Sequence, residues 1–211
     1  MKQLSSLASV AVACALLMTH AVTVHADEEH RFQITPLVGY RGGGEFDAFV
    51  GTQVFDAESS GAYGVALNMS AGEGRQYELI YNFQPTEIED LDVDLDIETL
   101  HIGGSATYLT SETMIPYIAG GIGATRLKPD RGDDETRFSA SLALGVGRPI
   151  NDRIRVRLEV RGYFVTMAGN SRIFCGSGAA GGGCVARASG DVFFQYEALA
   201  GIAIGFGPAT R

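Results

Sequence analysis

The chain has 211 residues, with 16 lysines and arginines against 25 aspartates and glutamates for a formal net charge of −9; it contains 28 glycines, three cysteines and no tryptophan. That acidic balance argues against a nucleic-acid partner, which favours a basic surface. Past the first two dozen residues no apolar run approaches the roughly 20 residues of a membrane-spanning helix, so any crossing of a bilayer falls to strands.

The N-terminal stretch reads as a secretory signal. Lys2 supplies the positive start, residues 4–24 are largely apolar around Leu16, Leu17 and Met18, and Val24-His25-Ala26 precedes a cut ahead of Asp27. Two rivals are weaker. Ser5, Ser6, Ser9, Thr19 and His20 interrupt the stretch as an anchor, and the apolar segment runs on past Cys14 of a lipoprotein-box-like Ala11-Val12-Ala13-Cys14. Residues 1–26 are expected to leave and 27–211 to form one domain.

Eight segments then alternate with period two, the pattern of strands with one apolar face. The first covers 31–41, with Phe32, Ile34, Pro36, Val38 and Tyr40 on one face. The second, 61–70, carries Tyr63, Val65, Leu67 and Met69; the third, 75–84, sets Tyr77, Leu79, Tyr81 and Phe83 against Gln76, Glu78 and Asn82. The fourth, 94–109, sets Leu100, Ile102, Ala106 and Tyr108 against Thr99, His101, Ser105 and Thr107. Glycines leave the facing of the fifth, 114–127, ambiguous. In the sixth, 136–149, Phe138, Ala140, Leu142, Leu144 and Val146 oppose Arg137, Ser139 and Ser141. In the seventh, 154–166, Ile154, Val156, Leu158, Val160 and Phe164 oppose Arg155, Arg157, Glu159 and Arg161. The eighth, 192–206, is far longer than the usual soluble strand of about 5–6 residues. Phe194, Tyr196, Ala198, Ala200, Ile202, Ile204 and Phe206 share its apolar face, with Gln195, Glu197, Gly201, Ala203 and Gly205 behind.

The connections alternate in length. Long ones span 42–60, 85–93, 128–135 and 168–188; short ones span 71–74, 110–113 and 150–153. Short periplasmic turns and long extracellular loops characterise outer-membrane barrels. A soluble eight-stranded barrel of the lipocalin kind also alternates, but points its apolar faces inward. Two features favour the membrane. Charges on the polar faces can neutralise one another in a narrow lumen. Aromatics also collect at both strand ends: Phe32, Tyr77, Tyr108, Tyr117 and Phe206 at the short-turn end, and Tyr40, Tyr63, Phe83, Phe138, Phe164 and Phe194 at the other. Such rings match interfacial girdles. The expected fold is all-β, an eight-stranded antiparallel up-and-down transmembrane barrel.

These strands, the segment Pro116-Tyr-Ile-Ala-Gly-Gly-Ile-Gly-Ala124 and the terminal strand resemble the small eight-stranded outer-membrane β-barrel superfamily of Gram-negative bacteria, which includes OmpA-, OmpX- and OmpW-like barrels. The resemblance covers 27–211 and implies a place in the cell outer membrane, in contact with its lipid and lipopolysaccharide. It implies surface structure, adhesion or small-solute passage without choosing among them. Gly201-Ile-Ala-Ile-Gly-Phe206 further resembles the terminal signal read by the barrel-assembly machinery, with Gly201, Ile204 and Phe206 carrying it; five residues follow the aromatic, where the usual pattern stops.

Chemistry concentrates on the polar faces. A buried charge is costly unless paired, so Arg155, Arg157 and Arg161 are expected to pair with Glu78, Glu159 and Glu197, with Arg137 as a nearby further cation. The acidic run 87–98, with Asp90, Asp92, Asp94 and Asp96 along one edge, reads as a solvated loop rim; a site for a hard divalent cation is the sharper alternative, though EF-hand spacing is lacking. The clusters 42–44, 120–123 and 176–183 have no Gly-Lys-Ser/Thr ending and carry no phosphate-loop reading; Gly120, Gly121 and Gly123 suit a strongly curved wall. His30 and His101 are the histidines left after residue 26, and the Thr99 and Ser105 that share a face with His101 make no triad. No metal, cofactor or catalytic residue is assigned. Cys175 and Cys184 are expected to form a disulfide in an oxidising compartment. The reading is a non-enzymatic barrel with a polar, plugged lumen and four extracellular loops, in a structural or surface-interaction role with a possible extracellular ligand. A narrow channel for ions or small solutes is the alternative, and a lipid-modifying enzyme the third.

Overall fold

Strands with one apolar and one polar-or-small face need two different surroundings, and here the chain provides both by closing a single sheet on itself. The computed structural model describes residues 29–48, 54–88, 93–108, 113–130, 133–166, 172–176, 183–188 and 192–210. Twelve strands follow in order: β1 (Glu29–Gly42), β2 (Glu45–Ala48), β3 (Val54–Asp56), β4 (Ser60–Gly72), β5 (Arg75–Ile88), β6 (Val93–Thr107), β7 (Ile115–Pro129), β8 (Glu135–Pro149), β9 (Ile154–Thr166), β10 (Arg172–Gly176), β11 (Gly183–Ala188) and β12 (Val192–Thr210). Eight of them form a closed antiparallel barrel in which each pairs with its neighbours along the chain, and β12 closes the ring on β1. Residues 1–26, expected to leave as a secretory signal, and Cys14 among them lie outside the described residues.

Large apolar side chains such as Val38, Leu67, Ile102, Leu144, Val160 and Ile202 stand exposed on the outer wall, while Glu78, Asn82, Arg157, Glu159, Arg161 and Glu197 are buried inside. This is the inverse of a soluble barrel and suits lipid outside. The facing of β7, which glycines hide in the sequence, resolves with Ala119, Thr125 and Leu127 inward and Ile122 outward. Inside, Leu37, Ala66, Ile80 and Leu199 form an apolar cluster on the β1–β12–β4–β5 side. Tyr117 corrects the expected girdle: it faces inward, because odd positions of β7 point into the lumen, and its hydroxyl is bonded there. The other ring residues of the outer wall behave as outward aromatics, Phe83 being half-buried.

The short connections are tightly determined. Between β4 and β5, Glu73 (φ 54°) and Gly74 (φ 69°) both take positive φ, the requirement of a two-residue type I′ hairpin. Between β8 and β9 the Asn151 side-chain carbonyl accepts from the backbone N–H groups of Arg153 (2.9 Å) and Ile154 (2.8 Å).

The long side departs from expectation in three places. The connection expected over 85–93 shrinks to 89–92, because β5 and β6 stay paired through Pro85↔Asp96 and Glu87↔Asp94. Leu95 and Ile97 point inward and are fully buried, so burial sustains the strand while Asp94 and Asp96 face out. Much of the acidic run is therefore strand, with Asp90 and Asp92 outside the described residues. The connections 42–60 and 168–188 are not plain loops: β10, β11, β2 and β3 form a second, four-stranded sheet that joins them, with Arg187 opposite Asp47. Finally, β12 does not stop at Phe206. It continues to Thr210 opposite Glu29, past an irregularity at His30/Phe32 and Gly207 at φ 84°.

Candidate functional site

Strand alternation aims every second side chain into the lumen, and register decides which of them meet. At mid-height four charges close a ring. Arg157 Nη2 donates to Glu78 Oε2 (3.1 Å) and Glu159 Oε2 (2.9 Å), and Arg161 donates through Nη2 to Glu78 Oε1 (2.7 Å) and through Nε to Glu159 Oε1 (2.7 Å). Each carboxylate thus bridges two guanidiniums, the charge-assisted geometry for which arginine is suited. Neutral groups complete it. Asn68 donates to Glu78 (3.1 Å) and accepts from Arg157 (3.2 Å); Tyr117 donates to Glu159 (2.7 Å) and accepts from Arg157 Nε (3.1 Å); Ser141 accepts from Arg161 (3.1 Å).

One level nearer the loops lies a second cluster. Arg41 Nη2 donates to Glu197 Oε2 (3.0 Å), whose carboxylate also receives Asn82 Nδ2 (3.0 Å) and the Tyr163 hydroxyl (2.7 Å). The guanidinium lies 4.2 Å from the Tyr163 ring centroid, a cation–π contact in a site shielded from solvent. Gln84 donates to Ser60 (3.0 Å), and Gln195 to Gln84 (3.2 Å). Beside these, His101 sits between two serines, Nδ1 2.9 Å from Ser141 Oγ and Nε2 2.7 Å from Ser139 Oγ, with Thr125 donating to Ser139 (2.9 Å). Both ring nitrogens are taken by hydroxyls and the side chain is buried.

The expected network is thus split. Glu78, Arg157, Glu159 and Arg161 come together. Glu197 stands in register with both Arg41 and Arg161, and pairs with Arg41 because Arg161 reaches along and across the lumen to Glu159 and Glu78. Arg155 lies at the short-turn mouth, beside Gln33, Gln76, Ser105 and Thr107. Arg137 lies near the loop end and pairs with Glu135, two residues away on the same face, which is nearer than the ring. Sequence reasoning missed Arg41, Asn68, Tyr117 and Tyr163 as members. For Arg41, Asn68 and Tyr163 the signal was the alternation of their segments, taken without regard to residue type; for Tyr117 the glycines of its segment hid the facing.

The two mouths differ. At the short-turn end a cavity of about 20 Å³ remains, lined by Tyr117, Arg155 and Arg157 among others, which is room for about one water. Toward the loops apolar side chains join the inward polar ones: Leu95, Ile97, Leu127, Val165 and Phe193 are buried beside Gln84, Thr86 and Gln195. Phe193 packs beneath Gly44, where a Cβ would run into its ring.

The remaining sequence candidates fall elsewhere. Gly201 faces the lumen, where a Cβ would come within 2.6 Å of Leu37 Cδ2 and of the Pro36 carbonyl; Ile204 is half-buried and Phe206 exposed on the outer wall. Cys175 and Cys184 are directly opposed in the β10–β11 register. Among the described residues no group of three or more histidine, cysteine or acidic side chains is placed to hold a metal ion, and Glu98 of the acidic strand bonds Lys128 (2.7 Å).

Residues 10–171 match the family described as outer membrane protein beta-barrel domain. Among solved structures, the neisserial surface protein A is similar with a TM-score of 0.60 at 11% identity, over 83% of this chain and 97% of that one. OprG of Pseudomonas aeruginosa gives 0.54 at 11% identity, over 87% and 99%. At such identity the likeness is one of fold. No curated protein matches the sequence.

Proposed function

This chain belongs to the outer membrane protein beta-barrel domain family and is a barrel of the outer membrane, and from that premise we propose that it is non-enzymatic, with a plugged lumen, and acts in a structural or surface-interaction role through its loops. The observation that carries this is the neutral packing of the lumen: three buried arginines face three buried glutamates among the described residues, and the polar cavity left at the turn end holds about 20 Å³. An eight-stranded barrel has an interior that side chains just fill. The buried Leu95, Ile97, Leu127, Val165 and Phe193 nearer the loops support the same reading, since apolar side chains there narrow any hydrated path. The surface offered outside is the four-stranded sheet built from both long connections.

Single-channel recording in planar bilayers tests the reading. A closed trace at every applied voltage is the expected result. Reproducible conductance that changes with Arg157→Glu overturns it in favour of the narrow channel, since the shared carboxylates of the ring give Arg157 and Arg161 alternative partners. A lipid A mass change that depends on His101 would overturn it in favour of enzymatic chemistry.

A further inference from the structure

The outer wall is not uniformly convex. Three successive rows of outward side chains cross β5, β6, β7 and β8 in register. Nearest the short turns run Arg75, Ala106, Ile118 and Leu144; next Tyr77, Gly104, Gly120 and Leu142; then Leu79, Ile102, Ile122 and Ala140. In the middle row two adjacent strands contribute no side chain, while Tyr77 and Leu142 project on either side. The result is a groove of about 550 Å³ in the wall, within the size range of small-molecule sites. Ile102 and Ile122, both strongly exposed, stand in the next row toward mid-membrane. It opens over Ala106 toward the turn end, beside Arg75.

We propose that this groove seats one acyl chain of a glycerophospholipid from the leaflet at the short-turn end, with the lipid phosphate held by Arg75. The shape selects a flexible chain over a second barrel. Tyr77 and Leu142 stand three strand spacings apart, roughly 14 Å, too narrow for a convex barrel wall to reach the glycine floor. Rows two residues apart place Ile102 roughly 13 Å from Arg75 along the strands, a depth that the upper part of an acyl chain fills. Charge selects the headgroup. Arg75 is at the mouth, and its ion pair to Glu73 (2.6 Å) is solvent-exposed on both sides; such pairs are weak, and a guanidinium keeps further donors for a phosphate. Leaflet assignment rests on the loops being extracellular, which epitope tags at residues 72 and 179 test separately.

Native mass spectrometry of the protein extracted from outer membranes in mild detergent tests the proposal. One retained glycerophospholipid per barrel is expected. Ala106→Leu at the mouth and Gly120→Leu on the floor should each lower the retained fraction about tenfold, the equivalent of about 1.4 kcal/mol, and Arg75→Gln should lower it less. Heat-modifiable mobility confirms that each variant is folded; Ala106→Leu adds its side chain to an open mouth and serves if Gly120→Leu does not fold. Equal retention in Ala106→Leu and the wild type overturns the proposal. So does a lipid A adduct, a detergent adduct only, or a crosslinked dimer through Tyr77 with no bound lipid.

Discussion

Glu78 is the residue on which the lumen ring depends most, since it receives both arginines and Asn68. Glu78→Gln leaves two buried guanidiniums facing one carboxylate, and breaking a buried pair in this way costs about 3–5 kcal/mol. A lower urea midpoint for the barrel refolded in liposomes is the expected outcome. Adding Arg161→Gln restores neutrality, so the double variant should lose less than the sum of the two single variants; strict additivity would show that the ring is not a unit. Phe206 is a different case, outward and half-exposed at the turn end. Phe206→Asp puts a charge near that interface, and less membrane-embedded, heat-modifiable protein is expected, with unchanged yields counting against a role in assembly. At this scale the sequence made the facing of residues legible and left partners open. Arg155, Arg157, Glu159 and Arg161 alternate visibly, but which acid each meets depends on the lumen's width and register. Glu197 lies between Arg41 and Arg161 and chooses by reach, and Tyr117 reads as a girdle aromatic until β7's facing is known.

The strands of the wall are held by close approaches as much as by side chains. At Gly103 a Cβ would run into the carbonyl oxygen of Gly120 on the paired strand, whereas at Gly61 it would meet nothing nearer than Tyr63 Oη at 3.8 Å. Gly103→Ala should therefore cost about 1–3 kcal/mol by overpacking, with Gly61→Ala near silent; equilibrium unfolding of the two side by side checks the contrast. The second sheet sets a separate expectation. A disulfide between Cys175 and Cys184, which stand opposite each other, would close a loop of about ten residues, worth about 2.5 kcal/mol of restraint in the chain-entropy picture. Replacing both by serine should leave insertion intact and expose residues 168–188 to protease. Because β11 also pairs with β2, cleavage should spread to residues 45–56. Stoichiometric thiol labelling of the non-reduced protein would remove the disulfide from the account. The eight wall strands were legible because 13 residues or more of alternation build up a clear pattern. The second sheet was not, because β2 and β3 have four and three residues and their partner strand comes from the far end of the chain. The contraction of the third connection escaped for a related reason: Asp94 and Asp96 dominate the reading, while Leu95 and Ile97 between them do the burying.

As a whole the molecule is electrically lopsided along its axis. Among the described residues, the exposed acids Glu58, Glu87, Asp94, Asp130, Asp133 and Asp134 stand around the long connections, with Arg126 paired to Asp134; around the short turns stand the exposed arginines Arg31, Arg75, Arg148 and Arg153, with Glu73 and Asp152 among them. The lumen between them is neutral, so this polarity belongs to the two rims. Crossing a bilayer is costly for each charged side chain, so the end that passes through during insertion must be fixed by assembly and cannot reverse afterwards. Connection length decides which end that is, since outer-membrane barrels keep their turns short on the periplasmic side and their loops long outside. With that orientation the acidic rim should meet the outer, lipopolysaccharide-bearing surface, and the arginines should meet phospholipid phosphates. An epitope tag inserted at residue 179 should be readable on intact cells, and one inserted at residue 72 only after permeabilisation. The opposite result would invert the barrel, move the loop sheet to the periplasm and place the wall groove in the outer leaflet, while leaving the lumen ring as described.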